Sequence, residues 1–128
     1  MQIVDTHAHI FEPGLNLAAV RRYAPDYAVT VHDYLSVLDR HGVSCGVLIQ
    51  PSFLGTDNTY MIEALKQFPR RLRGVAVVDP TIDGVALETM DAVGVVGVRL
   101  NLTGLSLPRL WEPEWQTLFG HLWRLDWQ

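Results

Sequence analysis

Residues 3–11 read IVDTHAHIF. Nine residues without Gly or Pro, opened by β-branched Ile3 and Val4, read as a buried β-strand. Side chains alternate along a strand, which puts His7 and His9 on one face and Val4, Thr6, Ala8 and Ile10 on the other. A loop with Pro13, Gly14 and Pro25 follows, long for a strand-to-helix connection. Thr30 then caps a helix with Asp33 in capping-box spacing. Val31, Tyr34, Leu35 and Leu38 recur on one face of that helix, and Gly42 ends it. The unit repeats along the chain. Residues 46–50 form a second strand stopped by Pro51, and Asp57 or Thr56 caps a helix carrying Met61, Ala64, Leu65 and Phe68. Residues 72–79 form a third strand ended by Pro80, with a helix from about Asp83 to Ala92. Residues 95–102 form a fourth, and Pro113 opens a helix bearing Trp115, Leu118, Phe119 and Leu122. Residues 125–128 look like the opening of a fifth strand. Strands alternating with helices predict an α/β fold with a parallel sheet and right-handed crossovers. Two architectures fit: the N-terminal half of a (β/α)₈ TIM barrel, with four βα units plus the start of a fifth strand, or a small doubly wound sheet.

Composition narrows the function classes. The 128 residues are 48% hydrophobic and 19% charged, too apolar for a disordered chain. Ten basic against fourteen acidic residues leave a formal charge of −4, which argues against nucleic acid and anionic membranes as partners. The longest apolar-plus-glycine stretch, Ala92 to Val98, is far short of the ~20 residues of a membrane span. Met1-Gln2-Ile3-Val4-Asp5 shows no basic secretory n-region, and the single cysteine, Cys45, excludes an internal disulfide framework. The expected compartment is cytoplasmic. No glycine-rich phosphate loop follows the first strand, so a nucleotide-binding domain lacks support.

Chemistry-bearing residues gather at the predicted carboxyl ends of the strands, where α/β enzymes place their sites. His7 and His9, two residues apart on one face, can reach one metal ion together, since neutral imidazole is a common ligand. The alternative is a pair of histidines that end a strand with hydrogen bonds. Arg99 and Asn101 share a face of the fourth strand. An arginine on the inner face of a parallel strand needs a partner, either a substrate carboxylate held bidentately or an internal acidic residue. Gln50 and Ser52 fall at the end of the second strand as donors, and Asp79 ends the third. Each of these three alone also fits a turn or cap.

Four segments together resemble a known family: residues 4–11 (VDTHAHIF), Gln50-Pro51-Ser52 with Gly55-Thr56-Asp57-Asn58, Arg73-Gly74-Val75-Ala76, and residues 94–101 (GVVGVRLN). The pattern is similar to the amidohydrolase-related family, and within it to the 2-pyrone-4,6-dicarboxylate lactonase-like hydrolases. The likeness runs through residues 1–128 as a partial barrel domain. The resemblance implies a hydrolase in which activated water cleaves a lactone, ester or C–N bond of a small carboxylated substrate. It implies His7 and His9 as ligands of a divalent metal, zinc or manganese, in the metal-dependent members, while the lactonase branch can work without metal. It implies substrate binding by Ser52 and Arg99; strand parity adds Gln50 and Asn101 as candidates beside them. The family's later histidines and its eighth-strand aspartate, a general base, have no counterpart here, so the chain alone is expected to be inactive. The alternative is a non-catalytic half-barrel acting as a fragment or as a binding and assembly module. Open sheet edges lead to a further expectation: self-association, or pairing with a missing C-terminal half.

Overall fold

The computed structural model describes residues 1–128. Its elements are β1 (Val4–Ala8), α1 (Val31–Arg40), β2 (Cys45–Ile49), a 3₁₀ turn (Ser52–Leu54), α2 (Thr59–Gln67), β3 (Leu72–Ala76), α3 (Gly84–Ala92), β4 (Val95–Val98) and α4 (Pro113–Arg124). The four strands form one parallel sheet in the order β1-β2-β3-β4. Strand order equal to chain order is that of successive units in a barrel wall. A doubly wound sheet instead reverses direction beside its first strand, and that alternative is overturned.

The sheet continues past β4. The Gln128 N–H donates to Val96 O at 2.9 Å, and Gln128 O accepts from the Val98 N–H at 3.0 Å. One residue bonded to both neighbours of the residue opposite is the parallel ladder pattern, so the chain ends in the first rung of a fifth strand.

One face of the sheet is packed against helices and the other is not. Leu48, Leu72, Ala76 and Val95 are at most 1% exposed and join Leu35, Leu38, Met61, Leu65, Leu87 and Leu118 in a single core. Among their strand neighbours of opposite parity, Val47, Val75 and Val96 are only half-buried, whereas Ile49 is buried. At ~25 cal/mol per Å² of buried apolar area, the helix-side core supplies most of the burial energy.

Local signals set the helix ends. Thr30 and Asp33 close a reciprocal capping box on α1, and Gly42 follows it at φ 67°. Asp83 caps α3 by accepting from the Ala86 N–H at 2.8 Å, and Pro113 opens α4. The N-cap of α2 is Asn58, not Asp57 or Thr56. Asn58 is 3% exposed because its amide is turned inward, donating to Thr56 O and Val77 O and accepting from the Val77 N–H. Asp57 instead accepts from the Thr59 N–H. No helix is long and apolar enough to cross a membrane.

Candidate active site

The site is built where β1, β2 and β4 end. Strict alternation fails in β1, because Asp5 pairs with Gly46 and Ala8 with Leu48, leaving one extra residue between. This bulge puts Asp5 and Ala8 on the helix side together. Asp5 accepts from the Tyr34 hydroxyl on α1 at 2.9 Å, and Ala8 packs on the main core. Thr6, which strict alternation groups with Ala8, is exposed. His7 and His9 remain neighbours, with ring centroids 5.0 Å apart and edge to face.

His9 has a defined role. Its Nδ1 lies 2.7 Å from Ile49 O at the end of β2. A carbonyl only accepts, so Nδ1 carries the proton and donates, leaving the Nε2 lone pair free. Burial holds the His9 pKa below its ordinary value; the charges of His7 and Arg99 add to this and the Ile49 hydrogen bond opposes it. A neutral imidazole anchored through Nδ1–H is how proteins orient a metal-binding histidine. The donor chemistry of this pair therefore fits a metal, but its number does not. No group of three His, Cys, Asp or Glu side chains that could hold an ion is present, and a catalytic zinc takes three protein ligands.

Arg99 follows β4 and enters the site. Its backbone N–H donates to Ala76 O at 2.8 Å and its Nη1 to Gln50 O at 3.2 Å. The three ion pairs of the chain are Lys66–Glu63, Arg71–Asp39 and Arg109–Glu112. Arg99 belongs to none, so no acidic residue of this chain pairs with it. Arg99, Asn101 and Ser52 line one cavity of about 240 Å³. The Asn101 Oδ1 is buried without a hydrogen-bond partner, and such an atom costs about 1–3 kcal/mol unless a ligand or water supplies a donor.

Gln50 is not brought into that cavity. It shares the parity of Leu48, which faces the helices, and is 1% exposed. Its Nε2 donates to Gly55 O at 3.2 Å and Asp57 O at 2.7 Å, fastening the β2–α2 loop. Only its backbone carbonyl meets Arg99. Asp79 is a turn residue, accepting from the backbone and hydroxyl of Thr81, bonds that lower its carboxyl pKa.

Two further residues on the cavity wall, Arg21 and Arg22, lie on the β1–α1 segment. Periodicity could not place them, since they sit in no periodic element. Their signal was an adjacent arginine pair in the loop after the first strand, on the side of the sheet where sites form. That loop is ordered by long-range contacts. Phe11 and Val29 form an antiparallel bridge, and Phe11 and Tyr23 pack edge to face on Phe53, each with centroids 5.3 Å apart.

Residues 4–128 match the sequence model of the amidohydrolase family. A 2-pyrone-4,6-dicarboxylate hydrolase of Comamonas testosteroni is 32% identical over 126 residues, covering 97% of this chain and 41% of the relative. A 4-sulfomuconolactone hydrolase of Rhizobium radiobacter is 30% identical over 126 residues, covering 96% and 42%. Among solved structures, a "probable 2-pyrone-4,6-dicarboxylic acid hydrolase" of Acinetobacter baumannii with citric acid bound superposes at TM-score 0.97, with 48% identity over 100% of this chain and 48% of that one. The chain thus spans less than half the length of these relatives.

Proposed function

The chain belongs to the amidohydrolase family, and from that premise we propose that it forms the carboxylate-binding part of a lactone or ester hydrolase acting on a small carboxylated substrate. The observation that carries this reading is Arg99, unpaired at the end of β4 and sharing a cavity with Ser52 and the orphaned Asn101 oxygen. A guanidinium presents a planar fork that matches a carboxylate bidentately. Ser52 offers a hydroxyl that both donates and accepts, and the Asn101 amide oxygen accepts a substrate hydroxyl or water. His9 presents a neutral Nε2 toward the same end of the sheet, suited to hold a proton or a ligand. The names of the relatives and the citric acid bound in one of them support a substrate rich in carboxylates.

His7 and His9 supply two imidazoles to any divalent ion, zinc or manganese, whose remaining ligands lie beyond these residues. Such an ion polarises a carbonyl oxygen and acidifies water when bound. The reading places the water-activating groups outside this chain, which alone binds carboxylates without turnover. Calorimetric titration of the purified protein with 2-pyrone-4,6-dicarboxylate tests it. Saturable binding that Arg99→Gln weakens at least about tenfold, a loss of ~1.4 kcal/mol, supports the reading. Absence of binding overturns it. Turnover by the pure monomer, abolished in His7→Ala, overturns the claim of inactivity.

A second reading, a binding or assembly module without catalysis, rests on the open edge of β1 and the half-buried inner face of the sheet. Turnover after mixing with the C-terminal half of a relative sinks it.

A further inference from the structure

The cavity at the strand ends is one-sided in charge. Its eleven lining residues include Arg21, Arg22 and Arg99 and no Asp or Glu. The chain as a whole is acidic, at −4, so this concentration of positive charge runs against the overall balance. None of the three arginines takes part in the chain's ion pairs. Three like charges around one small space repel each other, and an anion bound between them relieves the repulsion.

The two loop arginines are held there by backbone. The Ala18 N–H donates to Phe53 O at 2.8 Å, docking the loop on the 3₁₀ turn that begins with Ser52. Gly55, at φ 55°, closes that turn, and a Cβ there would lie 3.2 Å from the Ala18 Cβ. The Arg21 Nη1 donates to Ala18 O at 2.8 Å. One of its five N–H groups thus orients the guanidinium and four remain for a ligand. Arg22 makes no hydrogen bond within the chain. The arm carrying Arg21 and Arg22 therefore lines the same cavity as Arg99 from a separate element.

Resting on the carboxylate-binding reading above, we infer that Arg21 and Arg22 form a second anion-binding arm that selects substrates bearing two or more carboxylates. Arg99 grips one carboxylate from the sheet, and the arm grips another from the loop. A monocarboxylate reaches only one of the two grips.

Titration with three probes of rising charge, butyrate, glutarate and citrate, separates the possibilities. The wild-type protein binds citrate more tightly than glutarate and glutarate more tightly than butyrate, and the differences shrink as salt rises. Arg21→Gln/Arg22→Gln weakens citrate at least about tenfold and leaves butyrate unchanged, collapsing the preference. Arg99→Gln weakens all three. Arg70→Gln/Arg109→Gln, which removes the same charge elsewhere, leaves the preference intact. The inference is overturned if the Arg21/Arg22 variant keeps the wild-type preference, or if the Arg70/Arg109 variant loses as much; the Arg99 reading then stands. If the wild-type protein binds none of the probes, both fall. Arg21, Arg22, Arg70 and Arg109 are exposed and Arg99 is partly buried, so unchanged thermal melts confirm that each variant is folded.

Discussion

Arg99 shows what one side chain contributes beyond its charge. Its fork is aimed by the backbone bond to Ala76 and by the Gln50 carbonyl. Arg99→Lys keeps the charge and loses the planar pair of donors. We expect carboxylate affinity to drop about tenfold, ~1.4 kcal/mol, with an unchanged melt, by calorimetry and circular dichroism on the same samples. A second residue-scale prediction concerns Gly46 in β2. A Cβ there would overlap the Tyr34 hydroxyl and sit 2.8 Å from its Cε1 and Cζ, and Tyr34 is fixed from the other side by Asp5. Gly46→Ala should cost about 1–3 kcal/mol by overpacking. The cost should be smaller in a Tyr34→Phe background, a coupling read from a double-mutant cycle of denaturant midpoints. Strand parity and strand ends, both readable from sequence, bring His7 beside His9 and set Ser52, Arg99 and Asn101 on one cavity. The same reading mispositioned the Gln50 amide, because parity does not say which face meets the helices. It missed Asn58, whose burial follows from a contact with Val77, nineteen positions away.

At the scale of elements, the best-read helix is α1, because its start is written in adjacent residues. Thr30→Ala removes the hydroxyl that caps the Asp33 N–H and should cost about 1 kcal/mol at neutral pH. The same box fixes a pH dependence. Hydrogen bonds from the Thr30 hydroxyl and backbone hold the Asp33 carboxyl below its ordinary 3.8. A folded pKa lower than the unfolded one gives stability that is full above about 3.8 and is lost as pH falls through the lower folded value. Asp33→Asn should therefore destabilise the protein at pH 6 and lose that effect near pH 2, in urea melts at the two pH values. Equal destabilisation at both would refute the assignment. The β1–α1 segment was illegible for the opposite reason. Its order comes from Phe11 meeting Val29 and Ala18 meeting Phe53, and pairings between distant residues leave no periodic trace. The bulge in β1 was likewise invisible, since an alternating pattern does not announce one extra residue.

The whole molecule is a sheet finished on one side. Helices cover Leu48, Leu72, Ala76 and Val95 completely, while the inner face keeps Val47, Val75 and Val96 half-open and β1 pairs on one side only. In a closed barrel those inner residues meet side chains from the opposite wall, and no strand has an open edge. An open edge beside a partly apolar face is a template for another chain. We expect concentration-dependent association in sedimentation velocity, together with binding of a hydrophobic dye. The two faces should then respond differently to substitution. Val47→Lys and Val75→Lys, at half-buried positions of the open face, should reduce association at a cost of about 1 kcal/mol in denaturant melts, the centre of the range for single substitutions. Leu48→Ala, on the helix side, should cost about 2–5 kcal/mol as a buried cavity. A monomer at all concentrations, with Val47→Lys as damaging as Leu48→Ala, would show that the inner face is already satisfied within one chain. Association that is lost with Val47→Lys and restored by the C-terminal half of a relative would identify the opposite barrel wall as what this face is shaped to meet.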